Sequence, residues 1–159
     1  MNYFELYEIP LSFKVEKAFL ARRYFELQKR FHPDYFSQGT ETEQSEALEL
    51  SSQVNRAFRI FTNEEETIKY VLQLKGLLEE EEKYQLSTDF LMEMMELNET
   101  LSENSKQEIS ELVKKLYAEV SPIIENFNEA TTSTADLLSV KEYYYKKKYL
   151  QRILDRTMG

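Results

Sequence analysis

The chain has 159 residues, of which 42% are hydrophobic and 31% charged, and its formal net charge is −9. It has no cysteine, which excludes a disulfide framework and a cysteine-ligated zinc or iron–sulfur site. It has no apolar run long enough to span a bilayer and no features of a secretory signal at its start, so we expect a cytoplasmic protein.

Helical periodicity dominates the sequence. Only three glycines and three prolines interrupt it, which predicts an all-α chain. In the first long pattern the apolar residues recur at spacings of four, three and four and form one stripe, which we expect to be core. Pro33 disfavours helical geometry at His32, so this helix should end just before it. The stripe consists of Leu20, Tyr24, Leu27 and Phe31.

The same segment is basic in an otherwise acidic chain. From Lys14 to Phe31 six basic residues oppose two acidic ones, which gives +4 locally and leaves −13 elsewhere. A basic face can bind nucleic acid, but the acidic remainder and the lack of a recognition motif favour an acidic protein partner. A solvated face without a partner is the alternative. The residues that project from this face are Arg22, Arg23, Lys29 and Arg30.

The tripeptide His32-Pro33-Asp34 and a short loop separate this helix from a second helical pattern. Two helices joined in this way form an antiparallel hairpin. A lead-in helix, a basic helix, this tripeptide, a helix with Asn55-Arg56-Ala57-Phe58 and a short closing helix together resemble a J-domain. The apolar face of the second helix comprises Ala47, Leu50, Val54, Ala57 or Phe58, and Phe61.

Further segments narrow the resemblance to the HscB family of iron–sulfur co-chaperones. Segment 90–97, Phe-Leu-Met-Glu-Met-Met-Glu-Leu, is informative because generic J-proteins lack it. One departure lies at 62–68, which has neither the proline nor the arginine often found there, and we expect Thr62 or Asn63 to cap the next helix. The other matching segments are 1–6, 27–28, 32–36 and 70–76.

Gly76 and the glutamate run that follows it predict a domain boundary. We expect a J-domain over 1–76, a short acidic connector over 77–86, and a three-helix scaffold-binding domain over 87–159. Pro122 should kink or split the second helix of this domain, and the sequence leaves both outcomes open. The three helices are predicted from Ser87, Thr88 or Asp89 to about Leu101, from about Lys106, and from about Ala135 to Arg156.

The first helix of the second domain carries apolar residues on two neighbouring faces, although a helix of a small bundle normally buries only one. One stripe is therefore assigned to the core, and the other predicts an exposed apolar patch rimmed by carboxylates. A wide buried face is the alternative. The core stripe is Phe90, Met94, Leu97 and Leu101, and the second stripe is Leu91, Met92 and Met95 with Glu96 and Glu99.

The resemblance to the HscB family implies two binding surfaces. Arg22, Arg23, Lys29 and Arg30 would dock on a 70-kDa heat-shock chaperone of the HscA or DnaK type, whose ATP hydrolysis is stimulated by His32, Pro33 and Asp34. The second stripe, joined by Tyr149, would bind an iron–sulfur cluster scaffold protein of the IscU type. Met95 stands where a leucine is frequent in the family.

Other functions are less well supported by the sequence. We expect no catalytic residues and no metal site, because a lone histidine beside one aspartate is seldom a metal or catalytic centre. We also expect no cofactor, no nucleic-acid partner and no membrane partner. A J-domain co-chaperone for a different client is the main alternative. A structural adaptor with an inert His-Pro-Asp turn is a third.

Overall fold

A computed structural model describes residues 1–99 and 105–158, and within these ranges the chain is helical without strands. The prediction of an all-α chain is confirmed. The chain divides into two compact units, Met1–Val71 and the residues from Leu72 onward. The helices are α1 (Tyr3–Leu6), α2 (Lys17–Phe31), α3 (Glu41–Phe61), α4 (Glu64–Leu74), α5 (Thr88–Glu99), α6 (Ser105–Glu125) and α7 (Thr134–Met158), and a short 3₁₀ helix (Pro33–Phe36) follows α2.

The segment between Leu74 and Thr88 contains no helix. It includes the connector predicted at 77–86. The division into 1–76, 77–86 and 87–159 stays a prediction, and the predicted helix end near Leu101 lies outside the described residues.

Side-chain caps explain where several helices begin. The Asn63 side-chain oxygen accepts the Glu66 backbone N–H at 3.0 Å, so Asn63 caps α4 as expected. Ser87 accepts the Phe90 N–H at 3.2 Å before α5. Each cap satisfies a backbone donor that the first helical turn leaves without a partner.

Helices α2 and α3 pack against each other as an antiparallel hairpin. The Tyr24 and Phe58 rings lie 4.4 Å apart between centroids, and the Ser51 hydroxyl donates to the Gln28 side-chain oxygen at 3.5 Å. Because the earlier α2 residue meets the later α3 residue, the two helices run in opposite directions. Within the predicted α2 stripe, Leu20 and Leu27 are buried, and Tyr24 and Phe31 are half-buried.

Helix α1 joins the core of the first unit through aromatic residues. The Phe4 ring lies 4.8 Å from the Phe61 ring. Tyr7 is fully buried, and its hydroxyl donates to the Val54 carbonyl at 2.8 Å, which satisfies the polar end of a large apolar side chain. Burial raises the pKa of Tyr7 far above its ordinary value, so this hydroxyl stays a donor.

In the second unit, α5, α6 and α7 share one core, as the three-helix prediction requires. Phe90 and Met94, assigned to the core from the sequence, are buried there, and Leu97 packs against them half-buried. Leu101, the last residue of that stripe, lies outside the described residues. The buried residues of this cluster are Phe90, Met94, Ile109, Leu150 and Ile153.

Pro122 does not split α6, which continues to Glu125. A proline lacks the N–H that would bond the carbonyl four residues earlier, which here belongs to Ala118. The Ser121 hydroxyl donates to that carbonyl at 3.3 Å and replaces the missing bond. Because Pro122 lies in the last turn of α6, little helix follows the interruption.

Candidate functional site

The His32-Pro33-Asp34 turn is held by backbone and side-chain hydrogen bonds. The His32 N–H still closes the last turn of α2 by donating to the Gln28 carbonyl at 2.9 Å. Pro33 then occupies the first turn of the 3₁₀ helix. A backbone N–H at this position would have no acceptor within the helix, so its absence in proline removes no hydrogen bond. The Tyr35 N–H donates to the His32 carbonyl at 3.0 Å, so the turn is closed on both sides of the proline.

The His32 ring has a defined role within this turn. Its Nδ1 accepts the Asp34 backbone N–H at 3.2 Å and lies 3.6 Å from Asp34 Oδ2. An Nδ1 that accepts a hydrogen bond carries no proton, so the neutral ring holds its proton on Nε2 and the 3.6 Å pair is not an ion pair in that state. The side chains of His32 and Asp34 are 47% and 89% exposed, which leaves both accessible to a partner.

The loop after the turn is tied to α3. The Gln44 side-chain amide donates to the Ser37 carbonyl at 3.1 Å and to the Gly39 carbonyl at 3.2 Å. The Thr40 hydroxyl accepts the Glu43 N–H at 3.1 Å and caps α3. The turn is therefore anchored to α2 before it and to α3 after it.

The predicted basic face divides into two pairs. Arg23 and Arg30 each lie 3.4 Å from the Glu8 carboxylate, which follows α1. Arg22 and Lys29 are exposed, and among the residues that the structure describes no carboxylate lies within ion-pair distance of either. Arg22 and Lys29 are thus the two cations of this face available to an acidic partner without breaking an existing pair.

Asn55, in the segment that carried the J-domain resemblance, links the two hairpin helices. Its side-chain oxygen accepts the Tyr24 hydroxyl at 2.9 Å and the Gln28 amide at 2.8 Å. Gln28 also supplies the carbonyl that caps the turn at His32. Asn55 is itself exposed, and its two bonds tie the end of α2 that precedes the turn to α3.

On α5 the structure separates the two predicted apolar stripes. The side chains of Leu91, Met92 and Met95 are 36%, 58% and 61% exposed, while Phe90 and Met94 are buried. The prediction of an exposed apolar patch is confirmed, and its role in binding stays a prediction. The rim residues Glu96 and Glu99 are exposed as well.

Tyr149 lies beside this patch on α7. Its ring meets the Phe90 ring edge to face at 6.0 Å and is half-buried. Leu91 and Tyr149 line a common cleft of about 460 Å³. The structure thus brings Tyr149 next to the first residue of the patch.

This cleft was not predicted from the sequence. Its basic side chains are Lys148 and Arg152. The signal was present, because Tyr145, Lys148, Tyr149 and Arg152 recur at spacings of three, one and three and therefore share one face of α7.

The segment before α5 forms another wall of the cleft and is fastened to α7. The Lys141 Nζ lies 2.9 Å from both oxygens of the Glu82 carboxylate, and the Tyr145 hydroxyl donates to Glu82 at 3.0 Å. The Tyr84 ring stacks on the Tyr145 ring at 4.4 Å with an interplanar angle of 7°. Burial alone would raise the pKa of Glu82, but the bonds from Lys141 and Tyr145 outweigh it and hold that pKa below its usual range.

Two other exposed apolar side chains lie near the His32 turn in sequence, and neither was predicted to be a site residue. Phe25 on α2 is 66% exposed, and Tyr35 in the 3₁₀ helix is 67% exposed with its ring 6.1 Å from the His32 ring. Phe25 falls between Arg22 and Lys29 at helical spacing, so the free basic pair has an aromatic residue in its middle.

Within the described ranges, no group of three or more histidine and acidic side chains could hold a metal ion. None of the helices described is long and apolar enough to cross a membrane.

The chain resembles known proteins over nearly its whole length. The family model described as the HSCB C-terminal oligomerisation domain matches residues 86–157. A co-chaperone protein HscB homolog of Shewanella halifaxensis is 33% identical over 98% of this chain and 94% of its own length. The solved structure of human co-chaperone protein HscB has a TM-score of 0.75 at 31% identity, covering 99% of this chain and 81% of that one. Chaperone HscB from Vibrio cholerae has a TM-score of 0.65 at 25% identity, covering 99% and 96%. The chain therefore belongs to the HscB co-chaperone family.

Proposed function

We propose that this protein stimulates ATP hydrolysis by a 70-kDa heat-shock chaperone of the HscA or DnaK type and delivers an iron–sulfur cluster scaffold protein of the IscU type to it. The observation that carries the proposal is the pairing, in one chain of this family, of an exposed His-Pro-Asp turn with an exposed apolar patch on α5. The reaction takes place on the chaperone, so the protein acts as a regulator and not as an enzyme.

On the chaperone side, the basic face of α2 supplies attraction and the turn supplies contact geometry. Arg22 and Lys29 meet an acidic surface directly, whereas Arg23 and Arg30 must first exchange Glu8 for the partner. Long-range attraction of this kind raises the rate of encounter more than it raises affinity. His32, Pro33 and Asp34 then contact the junction between the nucleotide-binding and substrate domains of the chaperone.

On the scaffold side, burial of Leu91, Met92 and Met95 supplies the driving force for binding. Burying apolar surface is favourable by about 25 cal/mol per Å², and flexible methionine side chains adapt to an irregular partner surface. Glu96 and Glu99 at the rim, together with Tyr149 across the cleft, set the orientation of the scaffold.

Binding both partners at once raises the effective concentration of each for the other. Stimulation of ATP hydrolysis then coincides with the presence of the scaffold, so that the chaperone closes on the delivered client. Coupling of these two partners is the proposed function.

The experiment measures steady-state ATP hydrolysis by the host's 70-kDa chaperones, with and without this protein and with and without the scaffold. We expect stimulation by this protein that increases further when scaffold is added. In the Leu91→Ala, Met92→Ala double variant, basal stimulation should remain and the further increase should be lost. No stimulation of any chaperone would overturn the proposal.

A J-domain co-chaperone for a different client is the second candidate. It predicts the same stimulation of the chaperone with no response to the scaffold. The family model that matches residues 86–157 is described as an oligomerisation domain, so self-association through this unit is a further candidate. Sedimentation over a range of concentrations distinguishes self-association from scaffold binding, because only the former appears without the scaffold.

A further inference from the structure

We propose that the cleft between α5 and α7 receives a carboxylate-bearing segment of the same scaffold protein that covers the α5 patch. This inference rests on the proposed function and extends it, because it assigns a second and oppositely charged contact to the scaffold. The cleft is lined by Tyr84, Leu91, Tyr145, Lys148, Tyr149 and Arg152 among others.

The cleft combines aromatic walls with two cations. Tyr145 and Tyr149 alternate with Lys148 and Arg152 on one face of α7, and Leu91 closes the side that belongs to α5. Tyrosine and arginine are the residue types that most often dominate binding energy at protein interfaces. A volume of about 460 Å³ is enough for one or two side chains of a partner.

Nearby carboxylates do not neutralise this pair of cations. Glu82 is engaged by Lys141 and Tyr145, and Glu142 lies 2.7 Å from Lys146. In residues 1–99 and 105–158, no carboxylate lies within ion-pair distance of Lys148 or Arg152. The Lys148 Nζ lies 5.9 Å from the centre of the Tyr144 ring, a contact that leaves its charge in place.

The acidic residues at the start of α5 face elsewhere. Asp89 and Glu93 line a separate cleft, whose other charged residues are Lys115, Glu119 and Lys146. The cleft that contains Lys148 and Arg152 therefore keeps a local positive charge, in a protein whose net charge is −9.

Leu91 belongs both to the patch and to the wall of this cleft. A partner that buries Leu91 must therefore also approach Lys148 and Arg152 and strip water from them. Removing water from an unpaired cation is costly, and the cost is offset only when the partner presents an opposite charge. The partner that fits is one with carboxylates next to its apolar contact residues.

The patch also has neighbours of the opposite sign, because the exposed Glu96 and Glu99 follow Met95 by one and four positions on α5. The scaffold surface should therefore have a basic region facing Glu96 and Glu99, an apolar centre on the patch, and an acidic region facing Lys148 and Arg152. Two opposite charges at the two ends of an apolar centre fix the orientation of the scaffold, since a reversed partner would set like charges together.

The test measures the affinity of purified scaffold for the full chain by isothermal titration calorimetry at low and high salt. In the variant Lys148→Glu with Arg152→Glu we expect the Kd to increase roughly tenfold or more at low salt, because attraction becomes repulsion. The increase should shrink at high salt, since screening weakens exposed charge pairs. Lys106→Glu with Lys114→Glu is the matched control, since it changes the net charge of the same unit equally at exposed α6 positions.

The neutral variant Lys148→Gln with Arg152→Gln guards against a folding artefact. Glutamine and glutamate have helix propensities close to those of lysine and arginine, so both variants should keep the far-ultraviolet circular dichroism of the parent. The neutral variant should lose affinity by a smaller factor than the charge reversal.

The outcomes separate this inference from the proposed function. If Leu91→Ala with Met92→Ala weakens scaffold binding and the reversal behaves like its control, the cleft inference is wrong and the proposed function stands. If the parent chain does not bind the scaffold, both are wrong. If the reversal instead lowers chaperone stimulation in the absence of scaffold, the cleft serves the chaperone and the inference is overturned.

Discussion

The turn at His32 and the patch on α5 differ in how their side chains are fixed. Around the turn, the backbone is closed by Gln28 before it and held by Gln44 after it, and the His32 ring accepts a bond from Asp34. On α5, Met92 and Met95 are exposed side chains with no such restraint. In the proposed function, contact at the first surface would depend on the geometry of a few polar atoms, and contact at the second on the apolar area that the scaffold buries.

This difference predicts different responses to substitution. A contact built on geometry fails when one group is removed, because neighbouring residues cannot replace it. A contact built on apolar area loses affinity in proportion to the area removed, since methionine side chains repack. Substitutions at each surface, and at the residues that support it, test that contrast.

His32→Gln should abolish stimulation of the chaperone and leave scaffold affinity unchanged. Glutamine can accept the Asp34 N–H but cannot reproduce the planar ring with its Nε2 donor. ATP hydrolysis and scaffold titration of the same preparation check both halves. Gln38→Ala, at an exposed position of the same loop, is the control and should stimulate normally. Substantial residual stimulation by His32→Gln would remove the contrast between the surfaces.

Met92→Ala with Met95→Ala should weaken scaffold binding roughly thirtyfold and leave basal chaperone stimulation intact. The loss follows from removing two exposed apolar side chains, each contributing about 1 kcal/mol when buried by a partner. Leu138→Ala is the matched control, because Leu138 is a 46% exposed leucine on α7 of the same unit. If the response is graded, the Kd of Met95→Leu for the scaffold should stay within about twofold of that of the parent, because the substitution keeps the apolar volume.

Much of the fold could be predicted from local periodicity, because spacing along one helix determines which residues share a face. The stripes of α2 and α5 follow this rule, with Leu27 and Phe90 buried. Spacing does not determine how deeply a residue is buried, and Tyr24 remains only half-buried. Depth depends on which neighbour covers the helix.

Contacts between distant residues could not be predicted in this way. The bond from Tyr7 to the Val54 carbonyl and the pair of Glu82 with Lys141 join residues 47 and 59 positions apart. The cleft was missed for the same reason, since one of its walls is the segment before α5. The spacing of Lys148 and Arg152 with Tyr145 and Tyr149 shows that the four share a face of α7. The cleft exists only because the segment before α5 lies beside that face.

Asn55→Ala tests whether the turn depends on the hairpin behind it. Loss of the bonds from Tyr24 and Gln28 should lower the free energy of unfolding by about 1 kcal/mol, because both bonds are solvent-accessible. Urea unfolding measures this change, and Glu46→Ala at an exposed α3 position is the control. At a temperature where Asn55→Ala is folded, its stimulation of ATP hydrolysis by the chaperone should be only slightly lower than that of the parent. A loss as large as that of His32→Gln would make Asn55 part of the contact surface.

Glu82→Gln tests the corresponding support beside the patch, and its effect should depend on pH. Because the pKa of Glu82 is held below its ordinary value of 4.5, the carboxylate stabilises the folded state fully above that value, and the contribution disappears as pH falls through the lowered pKa. At pH 7 the variant should be less stable by at most about 1 kcal/mol, since the pair with Lys141 is partly accessible to water. Urea unfolding from pH 7 to pH 3 should show the parent and the variant converging in acid, with Glu79→Gln as the exposed control. A difference that persists at pH 3 would mean that the shape of the side chain, and not its charge, holds this wall of the cleft.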